Sequence, residues 1–193
     1  MENGKVRVLI VEDDPDFCFL IEKTLCAAGI EITGSVSDAS GAVEAAVQTH
    51  PDVVLMDLCL ADSGLDGIKA GKEIRLNTDA KLIILTSYEA PDIIRNACCR
   101  SFASGYVFKS QFELLPETVK SVAKGHIPQE YMIVSLILSE LSVAERSVLE
   151  LLMGKDLKLQ SSPKTISNQK NNLLKKLGLS GAGELRHLFN GLI

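Results

Sequence analysis

The 193-residue sequence has no metal-type Cys-x-x-Cys pair. Its five cysteines are odd in number and all precede residue 100, which leaves neither a thiolate zinc site nor a disulfide framework to read. A reduced, cytoplasmic chain is the expectation. Long apolar runs are missing too: the longest, such as residues 53–56 and 82–85, are far too short to span a bilayer, so no membrane partner is expected. The N-terminus moves straight into a strand-like segment and offers no secretory apolar region. Strong basic charge is also absent, with 20 Lys and Arg against 25 Asp and Glu. What is present is ordinary globular composition, 46% hydrophobic and 23% charged. The charge is unevenly spread. Residues 1–125 carry 12 basic against 19 acidic side chains, whereas residues 140–193 carry 8 against 5. An acidic front and a mildly basic tail indicate two modules with different partners.

Strand-like and helix-like textures alternate five times before residue 125. Apolar strands are expected at residues 6–11, 30–36, 53–56, 82–85 and 106–108. Helices are expected at 15–28, 38–49, up to about 77, 91–102 and 112–124. Asp14-Pro15 supplies a cap and a first-turn proline. Phe17, Leu20, Ile21 and Leu25 form the inward stripe of the first helix, and Ala42, Val43, Ala46 and Val47 that of the second. Fully apolar strands alternating with helices imply a parallel sheet covered on both faces. In such sheets polar chemistry collects just past the carboxyl ends of the strands. Glu12, Asp13 and Asp14 follow the first strand, Asp57 ends the third, Thr86 the fourth and Lys109 the fifth.

Carboxylates forced together resist common ionisation, and a hard divalent cation such as Mg²⁺ relieves the repulsion while keeping room for a phosphoryl ligand. Asp57 then suits a carboxylate nucleophile for a phosphoryl group. Lys109 and the metal would neutralise the transferring oxygens, and Thr86 would hydrogen-bond one of them. A single acid after a strand more often caps the next helix, as Asp14 does; four strand ends with complementary chemistry point to a site. A Mg²⁺ phosphatase built on Asp14-Pro15-Asp16 fits poorly, because that pair opens a helix and no threonine follows in the usual place.

The stretches Val8-Leu9-Ile10-Val11-Glu12-Asp13-Asp14-Pro15, Val54-Leu55-Met56-Asp57, Ile84-Leu85-Thr86-Ser87 and Gly105-Tyr106-Val107-Phe108-Lys109 resemble the receiver domain of bacterial two-component response regulators. The resemblance covers residues 5–124 and implies a flavodoxin-like, doubly wound five-stranded fold over residues 1–124. By that resemblance Asp57 is the phosphoacceptor, phosphorylated by a sensor histidine kinase. Asp13, Glu12, Asp57 and the backbone carbonyl of Cys59 hold Mg²⁺, Thr86 and Lys109 hold the phosphoryl group, and Tyr106 is the switch aromatic. Two departures stand out: the segment from Leu58 to Gly67 is long and lacks proline, and Ser110 follows Lys109 where many receivers have proline. Tyr88, two positions past Thr86, is bulky enough to slow attack of water on an acyl phosphate.

Residues 125–139 read as a linker with an apolar helical portion at 131–138. Ser142-Val143-Ala144-Glu145 is a capping box that opens a helix burying Val148, Leu149, Leu151 and Leu152. A polar helix is expected from Thr165 to about Leu177, with Ile166, Leu173, Leu174 and Leu177 inward. Its outer face offers Ser167, Asn168, Lys170, Asn171 and Lys175, residue types suited either to a major groove or to plain solvent. The order of residues over 140–189 is similar to the helix-turn-helix output domain of LuxR- and NarL-type regulators. This implies a small all-α DNA-binding domain at 140–193, with Ser167, Asn168 and Asn171 toward bases and Lys170 and Lys175 toward the backbone. The interval from Gly154 to Thr165 is about five residues shorter than in that family, too short for a scaffold helix and its turn. Ser167 and Gln169 replace its usual lysine and histidine. The expected protein is therefore a Mg²⁺-dependent phosphoprotein, not an enzyme, that dimerises on phosphorylation and regulates transcription. The alternative is a receiver whose shortened tail docks proteins or dimerises instead of binding DNA.

Overall fold

A computed structural model describes residues 4–60, 66–157 and 161–193. It divides into two compact units, residues 1–133 and 134–193. In the first, β1 (Arg7–Val11), β2 (Glu31–Val36), β3 (Val53–Asp57), β4 (Lys81–Thr86) and β5 (Gly105–Phe108) form one parallel sheet in the order β2-β1-β3-β4-β5. The helices between them are α1 (Pro15–Ala27), α2 (Ala39–Thr49), α3 (Asp66–Asn77) and α4 (Pro91–Ser101), with α5 (Leu115–Lys124) after β5. This is the flavodoxin-like strand order, whose topological switch point lies between β1 and β3.

Alternation along each strand divides the core into two layers. Val8, Ile10, Leu55, Ile83, Leu85 and Val107 pack with Ile21 and Leu25 of α1 and with Val119 and Val122 of α5. The intervening residues, Leu9, Val54, Met56, Leu82 and Ile84, are equally buried and face the opposite layer, where Ala42, Ala46, Ile74 and Ala97 are buried on α2, α3 and α4. The central strands β1, β3 and β4 are buried on both faces and apolar in their interiors, whereas the edge strand β2, with Glu31, Thr33, Gly34 and Ser35, contains no fully buried residue and corrects the expectation of an apolar strand there.

Several expectations are corrected. Leu20 on α1 and Val47 on α2 are exposed, because α1 and α2 each bury a narrower stripe than their composition allows. The segment after β5 begins as a 3₁₀ turn, Lys109–Leu114, and α5 starts at Leu115 instead of residue 112. Pro116 accounts for this: without an N–H it belongs in the first turn of an α-helix. The expected linker helix is longer than its apolar run, extending over α6 (Pro128–Ser139), and the boundary between the two units falls within it.

The second unit contains α7 (Val143–Leu152), α8 (Pro163–Leu177) and α9 (Ala182–Phe189). Ser142 and Glu145 form the reciprocal capping box at the start of α7. α8 begins at Pro163, two residues before the expected start, because Ser162 caps it and proline takes the first position. Val148, Leu149, Leu173, Leu174, Leu185, Leu188 and Phe189 form the buried core, while Leu151 and Leu152 are only half-buried. No helix separates α7 from α8 among the described residues.

Candidate functional site

The β1 and β3 ends lie side by side, with Val11 paired to Met56, so Glu12, Asp13 and Asp57 meet at the switch point. One carboxylate oxygen from each of the three lies within 4.8 Å of the others. Glu12 and Asp57 are buried and Asp13 is exposed, so the cluster opens to solvent on one side. Lys109 reaches in from the end of β5. Its Nζ donates to Glu12 Oε1 at 2.8 Å and to Asp57 Oδ2 at 2.9 Å. Asp57 Oδ1 accepts the backbone N–H of Cys59 at 3.3 Å, and Glu12 Oε1 accepts that of Asp14 at 3.3 Å.

The charges are mutually dependent. Burial, together with the Asp57 charge, holds the Glu12 carboxyl above the usual carboxylate range, despite the Lys109 hydrogen bond. Burial pulls the Lys109 ammonium down, but its hydrogen bonds to Glu12 and Asp57 outweigh this and leave its pKa raised. Glu12 Oε2 is buried and lies 2.7 Å from Nζ, yet is out of line for a hydrogen bond. An all-oxygen set with one solvent-facing acid and an under-used buried oxygen fits a hard divalent cation that keeps several waters. Glu12, Asp13 and Asp57 are the side chains that would hold it.

Thr86 is buried at the end of β4, and its Oγ1 accepts the backbone N–H of Tyr88 at 3.1 Å. The Tyr88 ring is partly exposed, and its hydroxyl lies 3.3 Å from Cys59 Sγ, which links the loops after β3 and β4. Cys59 itself is half-buried. In β5, Tyr106 pairs with Ile84 and Phe108 with Thr86, and the Tyr106 and Phe108 rings stand 5.6 Å apart. Of the long segment from Leu58 to Gly67, residues 61–65 lie outside the described residues. Its last two positions, Asp66 and Gly67, are already helical.

Gly67 shows why. A Cβ there would collide with the Asp57 carbonyl oxygen and approach Leu58 Cα to 3.1 Å. The first turn of α3 therefore packs directly on the backbone of Asp57.

On α8, Ser167, Asn168, Asn171 and Lys175 are exposed as expected, but the outer-face placement of Lys170 is corrected: it is half-buried and precedes the buried Leu173 and Leu174 by three and four residues, which puts it on their side of the helix. Lys176, next to Lys175, is occupied: its Nζ lies 2.7 Å from Glu145 Oε2 of α7. That pair and the capping-box hydrogen bonds hold the Glu145 carboxyl below the usual range.

The profile of the response regulator receiver domain matches residues 8–120. The chain belongs to that family. Among curated relatives, the transcriptional regulatory protein LiaR of Bacillus subtilis is 34% identical over 139 residues, covering 70% of this chain and 64% of LiaR. The chain thus spans just under two thirds of that relative. BvgA of Bordetella pertussis, named for positive transcription regulation of virulence factors, is 27% identical over 201 residues, with 93% of this chain and 94% of BvgA covered. Among solved structures, the RcsB response regulator of Salmonella typhimurium matches 94% of this chain and 96% of its own with a TM-score of 0.56 at 27% identity. Within this receiver, the strand-end residues were visible in the sequence. Gly67 was visible only as the end of a long segment without proline. Phe17 was visible only as a core position, although its ring lies 4.6 Å from Lys109 Nζ. Gln129 and Glu130, which tie the start of α6 to the sheet, gave no signal of burial.

Proposed function

We propose that this receiver accepts a phosphoryl group on Asp57 from a sensor histidine kinase, with Mg²⁺ as cofactor, and controls transcription through its C-terminal helix-turn-helix. The observation that carries the reading is Lys109 Nζ joining Asp57 and Glu12 at the β1/β3 switch point, beside solvent-facing Asp13. Asp57 supplies the carboxylate oxygen that bonds to phosphorus while the donor's leaving group departs. Lys109 transfers one hydrogen bond from Asp57 to a phosphoryl oxygen, and the Thr86 hydroxyl turns from Tyr88 N–H to another. Mg²⁺ bound at Glu12, Asp13, Asp57 and the Cys59 carbonyl supplies further neutralisation of phosphoryl charge. Such preorganised charge is the main means by which a site of this kind accelerates transfer.

The protein takes up and releases one phosphoryl group and turns over no other substrate. Its setting is cytoplasmic, and no described helix is long and apolar enough to cross a membrane. The Tyr106 rotamer reports phosphorylation, and phosphorylation favours a homodimer that sets two α8 helices on DNA half-sites. Ser167, Asn168 and Asn171 face bases, and Lys170 and Lys175 the phosphate backbone. Full-length matching to transcription regulators supports this reading over a protein-docking tail. Acetyl phosphate with Mg²⁺ is expected to label the parent and not an Asp57→Ala variant. A gel shift with and without beryllofluoride tests the output. Equal labelling of Asp57→Ala rejects the acceptor assignment, and DNA binding by neither form moves the C-terminal unit to protein docking.

A further inference from the structure

Among the described residues, Lys109 has a partner outside the acidic cluster. Two of its hydrogen bonds go to Glu12 and Asp57, while the ring of Phe17, on α1, lies with its centroid 4.6 Å from Nζ. That ring is braced in turn by Phe112, whose centroid is 5.4 Å away at 60°. Phe112 sits in the 3₁₀ turn that follows β5, three residues beyond Lys109. The ring therefore joins α1 to the segment from which the lysine springs. With only 17% of its side chain exposed, Lys109 is held in a site where an aromatic face is worth more than in open water.

We infer that Phe17 is a positioning residue for phosphoryl acceptance: its ring face holds the Lys109 ammonium over Asp57 and directs it toward the incoming phosphoryl group. This rests on the assignment of Asp57 as the acceptor. A lysine side chain has several rotatable bonds, and hydrogen bonds to two carboxylates do not fix it once one of them is modified. When the phosphoryl group arrives, Lys109 must release Asp57 Oδ2 and take up a phosphoryl oxygen. An aromatic face attracts the cation without a fixed direction, so Nζ shifts by a bond length or so and keeps that attraction. The ring also covers one side of the ammonium, so that water does not compete for it there. An aliphatic side chain of similar volume would fill the space but supply no attraction for the charge.

The test uses the full chain. In the parent, the Lys109 ε-methylene NMR signal, assigned with a Lys109→Arg variant, is expected to be displaced upfield of the other lysines by the ring current. It should return to the common position in Phe17→Leu. Labelling by acetyl phosphate, measured across its concentration range, should show a maximal rate reduced about fivefold in Phe17→Leu, equivalent to ~1 kcal/mol, with the half-saturating concentration little changed. Phe17→Tyr should stay within about twofold of the parent, as a retained ring face requires. Introduced into Lys109→Ala, Phe17→Leu should make no further difference. Phe17→Met serves where Phe17→Leu fails to fold. An unshifted parent signal, a parent-like rate in the aliphatic variants, or an equal loss in the Lys109→Ala background overturns the inference. Failure of the parent to label at Asp57 rejects the acceptor assignment and this inference together, whereas labelling indifferent to Phe17 rejects the inference alone.

Discussion

At the residue scale, the placement of Asp57 depends on a glycine that carries no chemistry. The first turn of α3 rests on the carbonyl of Asp57, and the atoms a Gly67 side chain would meet are backbone: Asp57 O, Asp57 C and Leu58 Cα. Backbone in a buried strand cannot swing aside as a side-chain tip can. Gly67→Ala must therefore push α3 outward or tilt the β3 end that aims the Asp57 carboxylate. Overpacking of this kind costs about 1–3 kcal/mol. Thermal denaturation is expected to show a lower midpoint for Gly67→Ala, and acetyl phosphate labelling a rate lowered by about tenfold, the penalty of misaligned reacting atoms. A variant with the parent's midpoint and rate would show that α3 has more slack than its packing suggests. Glu12, Asp13, Asp57, Thr86 and Lys109 were readable because strand ends in a parallel sheet are where chemistry must gather. Gly67 and Phe17 were not, since their roles arise from which backbone or cation they meet, and spacing along the chain does not encode that meeting.

At the element scale, the fold was legible wherever apolar periodicity was strong, and the order of strands and helices followed from it. Boundaries shifted where proline placement governed them, at Pro116 and Pro163. The sequence places the helical portion of the linker at 131–138, and the earlier start of α6 at Pro128 was not legible because a buried acid looks like any other acid in a sequence. Glu130, 2% exposed, accepts from Lys81 Nζ at 2.9 Å and from Ser104 Oγ at 2.9 Å, and lies 2.6 Å from His126 Nδ1. The neighbouring Gln129 Oε1 accepts the Tyr106 backbone N–H at 3.1 Å, which satisfies part of the open edge of β5. These bonds clasp the first turn of α6 to the rim opposite the acidic cluster, on the strand that bears Tyr106. Burial pushes the Glu130 carboxyl up, but hydrogen bonds from His126, Lys81 and Ser104 outweigh it and hold its pKa below the ordinary value of 4.5. A depressed acid contributes stability in full above its unfolded value, and that contribution fades as pH falls through the folded one. Glu130→Gln leaves Lys81 without its counter-charge, a change expected to cost about 3 kcal/mol at neutral pH. The gap in thermal midpoint between parent and variant should be widest above pH 4.5 and should close as the solution is acidified below it. A gap independent of pH would mean that Glu130 acts through shape and not through charge.

At the scale of the whole molecule, an acidic receiver precedes a mildly basic helical unit, and under the proposed function the grip of that unit on DNA depends on how few cations remain for phosphate. The short connection from α7 to α8 was legible as a length deficit, and no helix occupies it among the described residues. Which lysines remain free to meet phosphate was not legible, because adjacent Lys175 and Lys176 look alike in sequence. In the structure Lys176 is committed to Glu145, whose oxygen it reaches at 2.7 Å, while Lys175 is exposed on the outer face of α8 and Lys170 is half-buried on the side of Leu173 and Leu174. A phosphate contact from Lys176 would first have to break that pair. Each neutralised phosphate contributes about −0.9 to the slope of log affinity against log salt concentration, so a dimer using Lys170 and Lys175 in each protomer should show about −3.6. Lys175→Ala should flatten the slope by about two in the dimer and weaken binding to all sequences alike, the signature of a backbone contact. Asn171→Ala should leave the slope unchanged and weaken only the preferred site, as loss of a base contact does. Lys176→Ala, in contrast, should lower the thermal stability of the second unit and barely move the slope. If Lys176→Ala flattens the slope as much as Lys175→Ala does, the Glu145 pair opens on DNA and the unit grips more phosphate than its free structure offers.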